Sequence, residues 1–108
     1  MSIGTNNEAL IILNVAPAIE EAIVDWLLEN NQDSGFTIFP VRGYSTSHEN
    51  LSIGEQVSGR QRRLQVQVQM KSSVVDEFLA GLATSLGDAG IHYWVLPILR
   101  GGHFGVSA

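Results

Sequence analysis

From Glu8 to Val15 the chain reads EALIILNV and is apolar on both alternating sets, Leu10 and Ile12 on one and Ile11, Leu13 and Val15 on the other. A strand patterned this way is expected at the centre of a sheet, covered on both faces. Ala16 and Pro17 then open a helix. Proline suits the first helical position, Glu20 and Glu21 complement the dipole of the early turns, and Ile19, Ala22, Ile23, Trp26 and Leu27 recur at helical spacing. NNQDSG ends that helix, with Gly35 as the expected left-handed turn, and residues 36–41 read as a second strand. A third strand follows at 64–70, where Leu64, Val66, Val68 and Met70 alternate with Gln65, Gln67 and Gln69. One of its faces is core and the other is polar but uncharged. Ser73 and Asp76 have the spacing of a capping box before a second amphipathic stripe, Val75, Phe78, Leu79, Leu82 and Leu86. Gly81 interrupts it at a cost of about 1 kcal/mol relative to alanine. The run GDAG at 87–90 stops the helix, and IHYWVLPIL forms the last strand, where Pro97 points to a sheet edge.

The order predicts an α+β, ferredoxin-like βαββαβ fold: an antiparallel four-stranded sheet with two helices on one face. Residues 1–108 make a single domain, with loose segments at 1–7 and 101–108 and a long loop at 44–59 between the second and third strands. Connections of that length inside compact domains usually carry function or are disordered. The sheet face away from the helices inherits one alternating set from each strand. For the first, second and last strands that set is largely apolar, which points to burial against another copy of the chain.

Composition narrows the options. The chain has 108 residues, 44% hydrophobic and 16% charged, with a net charge of -5, three histidines and no cysteine. Disulfides, thiolate metal sites and thiol nucleophiles are therefore excluded. An acidic balance argues against general nucleic-acid binding, which depends on neutralising many phosphates. No apolar run is long enough for a membrane span and the first residues lack a signal-peptide core, so the expected location is the cytoplasm.

Four of the six cationic residues, Arg42, Arg60, Arg62 and Arg63, bracket the long loop with none between. Hairpin pairing of the second and third strands is expected to bring Arg42 near Arg60. Guanidinium groups beside the backbone amide of a glycine such as Gly43 can hold a phosphate or carboxylate by paired hydrogen bonds. The competing reading makes Arg62 and Arg63 strand-end charges, or partners for Glu49 and Glu55. Because neighbours on a strand face opposite ways, only one of Arg62 and Arg63 can serve a given cleft. His48 beside Glu49 in the loop, with His103 in the glycine-rich tail, are the candidate ligands for a divalent transition metal, although their spacing is no metal signature. Ser47 next to His48 lacks the orienting group and oxyanion hole of a nucleophilic site, so catalysis is not expected. Nothing matches a P-loop or a dinucleotide fingerprint.

The runs GFTIFPVRGYS, GDAG and HYWVLPILRGGHFG, together with the long loop, resemble the PII-like signalling proteins over most of the chain. HENLSIGEQVSGRQRR combined with HYWVLPIL looks more closely like an uncharacterised PII-like group often encoded beside heavy-metal efflux pumps. The resemblance implies a homotrimer with its sheets turned inward, ligand clefts between subunits, and a loop that reaches a partner such as a membrane transporter or efflux pump. It implies a nucleotide-type ligand site at Arg42 and Gly43 of the loop base, Gly87, Asp88 and Gly90 of the turn before the last strand, and Arg100 after it. Two positions depart from the family. Ile91 stands where a lysine follows the turn, and only Arg100 matches the paired arginines after the last strand. Tyr44 lies at the loop base rather than within it, so nucleotidylylation is not expected.

The function expected is that of a trimeric regulator that binds a small ligand between subunits and contacts a partner through its loop, with a role in metal homeostasis. A protein that binds a divalent metal directly and a small enzyme at the intersubunit cleft are the alternatives.

Overall fold

The computed structural model describes residues 7–30, 35–44 and 60–105, with Arg60 described in its backbone only. Strands β1 (Glu8–Val15), β2 (Phe36–Tyr44), β3 (Arg60–Lys71) and β4 (His92–Ile98) enclose two helices in sequence, α1 (Glu20–Asn30) and α2 (Val75–Leu86). The sheet order is β2-β3-β1-β4 and every neighbouring pair is antiparallel. This is the ferredoxin-like α+β arrangement.

Alternation decides which side chains the helices cover. Ala9, Ile11, Leu13 and Val15 pair with Met70, Val68, Val66 and Leu64 of β3. They form the core with Ile23 and Leu27 of α1 and Val75, Phe78 and Leu82 of α2. Their neighbours Leu10, Ile12 and Asn14 point to the other face and are only half-buried. In the single chain, then, β1 is central but covered fully on one face. Both edge strands contain a proline, Pro40 in β2 and Pro97 in β4, where the missing N–H costs no interior ladder bond.

The helices begin and end differently from the sequence pattern. Pro17–Ile19 forms a single 3-10 turn before α1, and a second such turn, Ser72–Val74, precedes α2. That second turn carries Ser73 ahead of the cap position, which falls to Val74, and no side chain caps the helix there. Gly35 does not take the left-handed conformation; Gly90 does, with φ 71° after the turn Gly87–Ala89. Between the helices Trp26 packs its ring edgewise on Phe78, with centroids 5.3 Å apart, and its Nε1 donates to Ser85 Oγ at 3.0 Å. Gly81 makes room for that indole. A Cβ at Gly81 would lie 3.3 Å from Trp26 Cζ2.

Candidate functional site

β2 and β3 run on together past the last apolar residues of each, because backbone pairing is indifferent to side-chain polarity. The register sets Val41 opposite Arg63, Arg42 opposite Arg62, Gly43 opposite Gln61 and Tyr44 opposite Arg60. The cross-strand partner of Arg42 is thus Arg62, and Arg60 lies one alternation further out. Arg42 and Arg62 share the helix-side face of this two-stranded ribbon and both are exposed, with Tyr44 beyond them on the same face. Like charges directly opposite each other weaken a strand pair. An anion held between two guanidinium groups offsets that repulsion and is bound by charge-assisted hydrogen bonds. Arg63 lies on the other face, where its Nη1 donates to the Arg62 carbonyl at 3.1 Å.

The turn Gly87–Ala89, with Gly90 after it, lies at the same end of the sheet, since β4 starts at His92 opposite Asn14 near the end of β1. A shallow cavity of about 360 Å³ beside this turn is lined by residues 83–89, with Asp88 its one charged lining residue among those described. Ile91, just after this turn, packs against the core.

Arg100 belongs to the opposite end. It follows Ile98, which pairs with Glu8 at the start of β1. The seven residues of β4 therefore separate it from Gly90 by roughly 20 Å at the usual rise of a strand. His103 lies beyond Arg100, with Nδ1 3.3 Å from the Phe104 carbonyl oxygen. A site containing Arg42, Gly43, Gly87, Gly90 and Arg100 together takes Arg100 from a second copy. His48 and Glu49 lie outside the described residues, as does the loop from residue 45 to 59. Among the described residues no three His, Asp or Glu side chains group as a metal site would require.

The sheet face away from the helices carries Phe39 and Val41 from β2, the glutamines of β3, Leu10 and Ile12 from β1, and Trp94, Leu96 and Ile98 from β4. Trp94 is 49% exposed and Leu96 44%. The helices also leave part of their own side of β4 bare, with Tyr93 55% and Val95 40% exposed. Exposure of β4 on both faces was not legible from alternation alone, which treats the helix side as covered. It follows from two helices spanning less than four strands. Phe104, fully exposed in the glycine-rich tail, is a further apolar group that the sequence pattern does not single out.

A four-stranded antiparallel sheet with one helical layer and one bare, largely apolar face defines a ferredoxin-like fold. The chain matches the family described as "Protein of unknown function (DUF3240)" over residues 5–105, and belongs to it. A DUF3240 family protein from Shewanella baltica has the same fold, with a TM-score of 0.75 at 24% identity, over 97% of this chain and all of that one. The periplasmic divalent cation tolerance protein CutA from Archaeoglobus fulgidus superposes with a TM-score of 0.65 at 17% identity, over 87% of this chain and 86% of its own. CPII from Thiomonas intermedia, solved with ADP, AMP and acetate bound, gives 0.64 at 16% identity over 88% and 89%. No curated protein is significantly similar in sequence. Among the described residues no helix is long and apolar enough to cross a membrane.

Proposed function

We propose that this chain is a PII-like regulatory protein that acts as a homotrimer, binds a small anionic ligand between subunits, and signals through residues 45–59. The observation that carries the reading is β4, whose apolar side chains are exposed on both faces and at a free edge. An edge of that kind invites aggregation unless another chain covers it. Covering it with copies of the same chain also supports the ligand site, because Arg100 from one copy can then approach Arg42, Gly43 and Gly90 of the next.

The mechanism is a linked ordering. A ligand bridging the arginines at the ribbon base binds better to one arrangement of the ribbon than to others, and shifts the population toward it. Because β2 and β3 lead directly into residues 45–59, that shift changes what the segment presents to a partner. The proposed ligand class is a nucleotide or another phosphate- or carboxylate-bearing molecule. The CPII relative, solved with ADP and AMP bound, supports the class, and Ile91, half-buried against the core, departs from the PII pattern. The proposed location is the cytoplasm and the proposed partner a membrane transporter or efflux pump. A role in metal homeostasis rests on the resemblance to proteins encoded beside such pumps and on the divalent cation tolerance named for the CutA relative. Direct metal binding through His48, Glu49 and His103 is the second reading.

Thermal shift against ATP, ADP, inorganic phosphate and divalent transition metals, with sedimentation velocity on the same samples, tests the reading. A ligand that binds only the folded state raises the melting temperature by mass action. The expected result is a single trimeric species and a nucleotide-dependent shift lost equally in Arg42→Ala and Arg100→Ala. A monomer, or a shift that survives both substitutions, overturns the intersubunit site. A shift with one metal, lost in His48→Ala or His103→Ala, transfers the assignment to metal binding.

A further inference from the structure

The bare sheet face is divided by a stripe of amides. Gln65, Gln67 and Gln69 occupy alternate positions of β3 on this face. Leu10, Ile12, Trp94 and Leu96 flank them on one side, Phe39 and Val41 on the other. Gln67 Nε2 donates to Gln65 Oε1 at 3.3 Å, and Gln65 Nε2 donates to Asn14 Oδ1 at 3.2 Å. The donors all point one way along this short chain. Gln67 thus keeps an acceptor and Asn14 a donor that no described residue satisfies. At the far end Gln69 Nε2 donates to Glu8 Oε1 at 2.8 Å.

Charge is confined to the ends of the stripe, Arg63 at one and Glu8 opposite Lys71 at the other. A strand face left in water gains solubility from charged side chains in its middle, and this one has none. Amides suit a different purpose. Each both donates and accepts, so an amide can meet its own counterpart from another copy, whereas a carboxylate or ammonium meeting itself is repelled. The whole protein carries a net charge of -5, and copies approach each other at least cost through a face whose middle carries no charge. These features select a second copy of the chain as the occupant.

Apolar flanks and amide stripe then have separate effects. The flanks supply attraction that is tolerant of sliding. The amides do not tolerate it, because a register that sets Gln67 or Asn14 against Trp94 or Leu96 buries a donor or acceptor unpaired. A single polar residue in an apolar coiled-coil seam fixes register and oligomer order in the same way. We infer that Gln65, Gln67 and Asn14 fix the register and the number of copies that assemble through this face. The inference rests on the proposed assembly, and concerns its order rather than its existence.

Native mass spectrometry and sedimentation velocity on the full chain, wild type against Gln67→Leu and Gln65→Leu/Gln67→Leu, read the effect directly. The wild type is expected as one species. The leucine variants are expected to associate at least as tightly but to spread over two or more sizes. Gln67→Glu places like charges between copies and is expected to weaken association by about tenfold or more at pH 7, with recovery when the carboxylate is protonated. That reversal also reports that the variant is folded. Leucine variants that keep the single wild-type size, or Gln67→Glu that assembles unchanged at pH 7, overturn the inference while leaving assembly intact. A wild-type monomer under the same conditions overturns the assembly reading itself.

Discussion

Replacing Gly81 by alanine separates two opposing effects that the structure sets in competition. In an open helix interior the change stabilises by about 1 kcal/mol through helix propensity. In α2 the new Cβ would stand 3.3 Å from Trp26 Cζ2 and 3.9 Å from Cη2, and the first distance is tighter than nine in ten real Cβ contacts. The indole is poorly placed to retreat. Its Nε1 is held by Ser85 Oγ at 3.0 Å and its edge by Phe78. Overpacking of this kind costs about 1–3 kcal/mol, so the expected net effect of Gly81→Ala is a loss of about 0–2 kcal/mol rather than a gain. Urea unfolding followed by circular dichroism at fixed protein concentration measures it. The decisive form is a double-mutant cycle with Trp26→Leu. With the indole gone, Gly81→Ala is expected to stabilise by about 1 kcal/mol, giving a coupling of about 1–3 kcal/mol between the sites. Stabilisation by the same amount in both backgrounds, with coupling within about 0.5 kcal/mol of zero, would show that the glycine is not there for Trp26.

Leu13 is fully buried where β1, β3 and the helices meet. Leu13→Ala is expected to cost about 2–5 kcal/mol in the same urea assay, and a loss under about 1 kcal/mol would mean the core is looser than described. Trp94→Asp puts a charge in the bare sheet face, so light scattering is expected to show a smaller species with unchanged far-UV circular dichroism; retention of the wild-type mass would mean that copies meet elsewhere.

The strands were legible because apolar residues alternate, and the sheet order follows from the commonest way to close a βαββαβ chain. Places where the pattern misleads have particular causes. Apolar alternation stops at Val41 and Leu64, so the pattern ends the two strands there, although their backbones pair out to Tyr44 and Arg60. Ser73 has the residue type and spacing of a cap, but a 3-10 turn advances the start of α2 past it. Gly81 read as a weak point in a helix because a local pattern contains no term for a tryptophan on another helix. The separation of Arg100 from Gly90 was available from topology, since β4 leaves the end of the sheet at which the ribbon and the turn gather. No signal in the sequence marked the stripe at Gln65 and Gln67 as more than a polar alternate set. Its hydrogen-bonded direction exists only once Asn14 lies beside it in β1.

β1 is made before the other three strands of the sheet and lies inside it, between β3 and β4. Leu13 has Val66 on one side and Tyr93 on the other, and neither partner exists while the first helix is being made. This apolar strand therefore has only α1 to cover it until β3 is translated, and keeps one open edge until β4 follows. Partial chains that stop short of residue 92 expose β1 along a whole edge, without a proline to interrupt it. Truncation late in the message should thus be more harmful in the cell than its length suggests, because it leaves intact every segment that aggregates and removes the one that closes the sheet.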